Sequence, residues 1–220
     1  MAADLPSFFQ RAFACSPEVA AAVARRAHDR AYAAQAPIVH QGDPGRETFL
    51  LMLGRAHALL YGRDGQVVLL REFEPGDIFG SIAEVRPAPE DADIVAVEAA
   101  RAAAFMTFDF VQLIETHGAV GLAVSRLLLK QLRQATGAIL QRATLSAQGR
   151  VYAELLRLAR LGDGRTLRPA PVLAALAVRV QTTRETASRA VGALERRGVI
   201  RRDGEALVIV APHRLEELIV

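Results

Sequence analysis

The chain has 220 residues, 51% of them hydrophobic, with a formal net charge of +3, enough for one or two domains with substantial cores. No run of about 18 apolar residues is free of charge, which argues against a membrane span, and no basic-then-apolar leader opens the chain. The single cysteine, Cys15, allows no intrachain disulfide and falls short of the roughly four thiolates that hold an iron–sulfur cluster, so a cytoplasmic protein without such a cluster is expected. The charge is unevenly spread. Residues 146–220 hold 13 arginines against 8 acidic residues, whereas residues 1–145 hold 14 basic against 16 acidic ones. A basic C-terminal end is what a nucleic-acid partner requires.

In chain order, residues 5–30 read as helical, with Leu5, Phe8, Phe9 and Phe13 on one side. From Ile38 the pattern changes to short strand-like runs: Ile38-Val39, Phe49–Leu53, Ala58–Tyr61, Val67–Leu70, Ile94–Val97 and Ala102–Phe105, separated by Gly, Asp and Pro. Closely spaced short strands with such turns predict a β-barrel or β-roll. Residues 109–142 form a long segment whose breakers are Gly118, Gly121 and Gly137. There Val120, Val124, Leu128, Leu132, Ala135 and Ile139 recur every three or four residues and make one apolar stripe. A helix of that length predicts a dimer partner, the plain alternative being packing against its own barrel. Thr144–Ser146 reads as a hinge, with Ser146 the cap of a helix through Leu161.

The C-terminal end carries the most specific pattern. Pro171–Ala177 predicts a short helix and Val178–Gln181 the turn after it. A second helix then begins with Thr182 as N-cap and Glu185 completing a capping box. At 100° per residue, Arg184, Glu185, Ser188 and Arg189 fall within about 140°, while Ala187, Ala190 and Leu194 gather opposite. Such a face suits the major groove: Arg grips guanine O6 and N7, Glu accepts from cytosine N4, and Ser reaches base or phosphate. Gly198 ends the helix. Val199–Arg202, an Asp203-Gly204 turn and Ala206–Val210 then predict a hairpin whose Arg201 and Arg202 lie near phosphates. A solvated surface helix would explain the polar face but not the order of helix, turn, helix and basic hairpin.

Gly42-Asp43, Phe49-Leu50-Leu51 with Gly54, Asp64-Gly65, Pro75-Gly76-Asp77-Ile78-Phe79-Gly80 and Thr183–Arg189 follow one another as they do in one family. Through them, over nearly all of residues 10–212, the chain resembles the cyclic-AMP receptor protein / fumarate-nitrate reductase regulator (CRP/FNR) superfamily of bacterial transcription factors. The resemblance implies an α+β chain in three parts. These are a sensory cyclic-nucleotide-binding-type β-roll (jelly roll) over 1–108, a dimerisation helix and hinge over 109–145, and a winged helix-turn-helix over 146–220. It implies a homodimer on two-fold symmetric double-stranded DNA, read by Thr183, Arg184, Glu185, Ser188 and Arg189, with Arg201 and Arg202 on the backbone. The half-site would end in GA, in a TGTGA or TTGA-like context. RNA polymerase is a further candidate partner.

The effector pocket implied by the resemblance comprises Gly80, Ser81, Ile82, Ala83, Arg86 and Thr136. Cyclic-nucleotide binders of the family follow Phe-Gly with a Glu for the ribose, and supply a downstream Arg for the phosphate. Here Ser81 and the run Glu90-Asp91-Ala92-Asp93 stand in those places. A carboxylate there repels a phosphate, so cyclic AMP is not the expected effector, although the segment from Ser81 to Ala83, read as a helix start, could offer N–H groups to an anion. The cofactor is otherwise open. His28, His40, His57, His117 and His213 are scattered, without zinc-ligand spacing. A metal- or haem-dependent sensor, and more remotely a cupin-like metalloenzyme using His40 and His57, are the alternatives. The sensor would still act on DNA, whereas the enzyme reading leaves the winged helix unexplained.

Overall fold

A computed structural model describes residues 4–62, 67–82 and 88–219. The chain forms two compact units, Met1–Arg133 and Gln134–Val220. In the first unit the sequence alternation dictates two layers of core around one sheet. Strand β3 (Glu47–Leu53) is buried along almost its whole length. Its Phe49 and Leu51 point into one apolar cluster and its Leu50 and Met52 into another, because successive side chains leave opposite faces of a strand. Strand β8 (Ala100–Met106) does the same, with Ala102 and Ala104 on one side and Ala103 and Phe105 on the other.

These two strands lie at the centre of an antiparallel sheet, flanked by β1 (His28–Tyr32) and β6 (Ile78–Gly80) in the order β1-β8-β3-β6. A second sheet contains β2 (Pro37–Val39), β7 (Asp93–Ala96), β4 (Ala56–Tyr61) and β5 (Val67–Phe73), in the order β2-β7-β4-β5. Phe49, Phe79, Phe73, Ile94 and Ala58 fill the space between the sheets. On the outer face of the first sheet, Leu50, Ile78 and Phe105 meet helices α1 (Leu5–Phe13), α2 (Pro17–Ala24), α3 (Thr107–Thr116) and the start of α4 (Gly118–Thr144).

Several expected boundaries move. The helical reading of residues 5–30 covers two helices broken at Ala14, which takes φ 47°, and its end is strand β1. Every residue of β1 but Tyr32 is exposed, so no apolar alternation marks it. The single long helix over 109–142 is also two. His117 is extended, at φ −122° and ψ 96°, and α4 restarts at Gly118. The Asp64-Gly65 turn lies outside the described residues.

The second unit packs α5 (Ala147–Arg160), α6 (Leu173–Arg179) and α7 (Arg184–Arg196) over a three-stranded sheet. Ser146 caps α5 as expected, its Oγ accepting from the Gly149 N–H at 3.0 Å. The hairpin is β10 (Ile200–Asp203) with β11 (Ala206–Ile209). Asp203 pairs with Ala206, so the two-residue loop is Gly204-Glu205 rather than Asp203-Gly204, and Gly204 supplies the positive φ of 59°. Two elements were not read from sequence: β9 (Thr166–Leu167), which extends the hairpin, and α8 (Pro212–Glu217), whose Leu215 closes the core.

Candidate nucleic-acid interface and ligand cavity

Helix α7 is amphipathic in the expected sense. Ala187, Ala190, Val191 and Leu194 are buried against Leu155, Leu176 and Ile209, while Thr183, Arg184, Glu185, Ser188 and Arg189 are exposed. Its N-terminus starts one residue later than predicted. Thr183, not Thr182, is the N-cap, its Oγ1 accepting from the Thr186 N–H at 3.2 Å. Glu185 is therefore the second helical residue and Thr186 the third, so the Thr182–Glu185 capping box does not form. Instead Thr183 Oγ1 and Thr186 Oγ1 lie 3.1 Å apart. The Glu185 backbone N–H and the Thr183 hydroxyl hold the Glu185 carboxyl below its usual range, so it is an acceptor at neutral pH. Arg189 Nη2 rests 3.3 Å from Thr186 Oγ1.

The turn before α7 is held by a residue the sequence did not advertise. Arg150 of α5 donates to the carbonyls of Val180 at 3.0 Å, Gln181 at 3.3 Å and Leu145 at 3.2 Å. Gln181 takes φ 51°, and its carbonyl is one of those tied down. Arg150 thus ties down the turn that precedes α7. On the hairpin, Arg201 and Arg202 are exposed. Arg202 Nε lies 2.7 Å from Glu195 of α7, whereas Arg201 makes a looser pair with Asp203 at 3.6 Å.

The predicted dimer stripe divides. Val120 and Val124 are buried in the core of the first unit, beside Phe110 and Leu113, and so are unavailable to a partner. Further along α4, Leu128, Leu132, Ala135 and Ile139 are exposed, Leu132 and Ile139 by 64% and 65%.

Between the sheets of the first unit opens a cavity of about 380 Å³. Gly80 and Ile82 line it, as expected. Gly80 is required there, with φ +80° and a space in which a Cβ would stand 2.5 Å from the Glu47 carbonyl. Ser81 is not among its described walls. It is buried, its N–H donating to Glu47 and its carbonyl accepting from Thr107 Oγ1 at 3.0 Å. Neither Ser81 nor Ile82 is helical, while Ala83 and Arg86 lie outside the described residues. Thr136 is exposed on α4 within the second unit. Glu90 and Asp91 line the cavity, but Asp93 faces away, accepting from the Gln41 N–H at 2.7 Å. Among the described residues the cation in the wall is Arg71 of β5, which lies just past the end of the expected run Val67–Leu70.

His57 pairs with Glu72 at 3.0 Å, and His40 lies 3.7 Å from Asp93. Among the described residues no group of three or more His, Cys, Asp or Glu side chains could hold a metal ion. No helix is long and apolar enough to cross a membrane, again among the described residues.

Two family models match the chain: a cyclic nucleotide-binding domain over residues 29–117 and a Crp-like helix-turn-helix domain over 149–218. The "Cyclic AMP receptor protein" of Thermus thermophilus is 32% identical over 190 residues, 86% of this chain and 87% of that protein. The chain belongs to the CRP/FNR family of bacterial transcription regulators. The crystal structure of the Thermus thermophilus catabolite activator protein superposes with a TM-score of 0.52 at 28% identity, covering 97% of this chain and 98% of that one. The c-di-GMP responsive regulator CLP of Xanthomonas campestris gives a TM-score of 0.75 at 19% identity, covering 88% of this chain and 99% of that one, a likeness of fold. As in the rest of the family, the first unit is a β-rich cyclic-nucleotide-binding-type domain and the second carries the helix-turn-helix.

Proposed function

We propose that this family member is a homodimeric, sequence-specific DNA-binding regulator that acts in the cytoplasm, without enzymatic activity, and that does not respond to cyclic AMP. The observation that carries the DNA-reading role is the exposed face of α7, where Arg184, Glu185, Ser188 and Arg189 share one side of a helix whose other side is buried. Glu185 and Arg189 read a GA step and its complement, Thr183, Arg184 and Ser188 complete the contact, and Arg201 and Arg202 meet phosphates. Leu128, Leu132, Ala135 and Ile139 form the dimer seam, consistent with their exposure on a 27-residue helix. Two recognition helices related by a two-fold axis then reach successive major grooves. The working division is a sensory part over 1–108, a dimerisation segment now starting at Gly118, and a DNA-binding part from Ser146.

The case against cyclic AMP rests on Asp91 in the cavity wall and on Ser81, whose side chain is not among the described walls. A cyclic phosphate near Asp91 meets repulsion, and the ribose hydroxyl lacks the carboxylate that would accept from it. Binding weaker by about two to three powers of ten than in a nucleotide sensor is expected. That the Xanthomonas neighbour is named for c-di-GMP agrees with this fold serving other effectors.

A mobility-shift titration tests the reading. A palindrome with TGTGA or TTGA half-sites should be bound in preference to one whose GA steps are exchanged, at fixed salt. Equal affinity for both would refute sequence reading by α7. Calorimetry should give no low-micromolar isotherm with cyclic AMP; one that does would restore the nucleotide-sensor reading.

A further inference from the structure

Asp77, in the turn between β5 and β6, is the only buried carboxylate among the described residues. A charge in that position is costly unless a cation and hydrogen bonds offset its lost hydration. Its Oδ2 accepts from the Glu74 N–H at 3.0 Å, within the turn. Its Oδ1 accepts from Lys130 Nζ at 3.2 Å. Lys130 belongs to α4 and its side chain is 51% exposed, so the ammonium reaches in from solvent. Beside it, Gln131 Nε2 donates to the Ile78 carbonyl at 3.1 Å. Two consecutive residues of α4 thus hold two consecutive residues at the start of β6.

A second cation stands next to the same oxygen. Arg71 Nη2 lies 4.0 Å from Asp77 Oδ1, beyond hydrogen-bond reach. Arg71 Nε and Nη2 are buried and meet no hydrogen-bond partner among the described residues. Unpaired charged donors are destabilising, and these two form the side-on pair that matches the two oxygens of a carboxylate. The guanidinium carbon sits 4.5 Å from the centroid of the Phe73 ring. Stacking fixes the plane of the fork but leaves it free to slide along the ring, and a slide of about 1 Å closes the gap to Asp77. What opposes that slide is Lys130, a like charge already on the same oxygen.

We propose that Asp77 is an exchange point between Lys130 and Arg71: when the middle of α4 lifts from β6, Arg71 closes on the carboxylate in its place. With Lys130 as the sole available cation, lifting α4 would strand a buried charge and be strongly penalised. With Arg71 in reserve, the carboxylate keeps a partner and the orphaned donors of Arg71 gain an acceptor. The contact between α4 and the sheet therefore has two low-energy arrangements rather than one. Lys130 lies between Leu128 and Leu132, so the exchange sets how that stretch of α4 is presented. The inference stands on the packing of the first unit and does not depend on the DNA reading.

Melting of the full-length protein, followed through the amide resonances of β5 and β6, tests this with a double-substitution cycle. Lys130→Met and Arg71→Met should each lower Tm by less than about 3 °C, since each leaves Asp77 one cation. The double variant strands the buried carboxylate and should lose roughly 10 °C, well beyond the sum. Asp77→Asn added to the double variant should restore most of that loss. In Lys130→Met alone, the Arg71 Nε nitrogen-15 resonance should move and its proton exchange should slow, because the fork now meets Asp77. Backbone amides over residues 128–132 should exchange about threefold faster than in the unsubstituted protein, as α4 is released there. The proposal is overturned if the two single losses simply add, or if either single variant falls as far as the double. It is equally overturned if the Arg71 resonance stays in place in Lys130→Met, a result that can be read even where the double variant does not fold.

Discussion

At the scale of single residues, Glu185 and Arg189 occupy neighbouring places on the exposed arc of α7, yet their environments differ. The Glu185 carboxyl is held below its usual range by its own backbone N–H and by Thr183, with the Arg184 and Arg189 charges adding to this, whereas Arg189 reaches Thr186 Oγ1 at 3.3 Å. Arg189→Ala and Glu185→Ala should each cost roughly 1–3 kcal/mol on a specific site and relax the preference at one base pair. Arg201→Ala should instead weaken binding to every sequence and reduce the steepness of the salt dependence by about one phosphate contact. Titrations of matched and singly substituted duplexes at several salt concentrations distinguish these outcomes. If Arg189→Ala leaves base preference untouched, α7 is not the reader. The exposed arc was legible in the sequence because a helical period sorts residues locally. Arg71 was not, because its meaning depends on Phe73, Asp77 and Lys130, and only the folded unit brings Lys130 of α4 to Asp77.

At the scale of elements, the helix-turn-helix owes its shape to one cap and one clamp. Thr183→Ala removes the acceptor for the Thr186 N–H and should destabilise the unit by about 1 kcal/mol. Arg150→Met removes donors to three carbonyls and should cost more, about 2–4 kcal/mol, since each is a hydrogen bond from a charged group and the turn carbonyls lose their partner. Urea denaturation of each variant gives the comparison, and an Arg150→Met midpoint equal to that of Thr183→Ala would deny Arg150 its clamping role. The two helices and the hairpin could be read from periodicity and from Gly198, but the start of α7 came one residue early. Thr182 and Thr183 are both good caps, and local sequence does not rank them; the backbone at Gln181, tied by Arg150 from 31 residues away, decides. Strand β1 escaped for a related reason. It pairs with β8 through its backbone, from His28↔Ala104 to Tyr32↔Ala100, while all its residues but Tyr32 are exposed and carry no apolar alternation. The break at His117 was visible only as Gly118, one of three glycines in the segment. Burial of Phe110 and Leu113 on one side and Val120 and Val124 on the other makes it the bend.

At the scale of the whole molecule, α4 has two kinds of apolar residue, and they predict opposite consequences for substitution. Val120 is fully buried in its own unit, so Val120→Asp places a charge in a folded core and should destabilise that unit by several kcal/mol. Leu132 is 64% exposed, so Leu132→Asp changes little within one chain. In the proposed dimer it faces its two-fold mate or a near neighbour, and two like charges are then buried together at the seam. Leu132→Asp should therefore keep the Tm transition of the folded units and shift the mass seen by light scattering from twice 23.7 kDa to 23.7 kDa. It should also lose affinity for the palindrome far more than for a single half-site, since only the former draws on both recognition helices. A Leu132→Asp protein that stays at twice the chain mass would place the seam elsewhere on α4. A monomeric unsubstituted protein would remove the two-fold reading altogether.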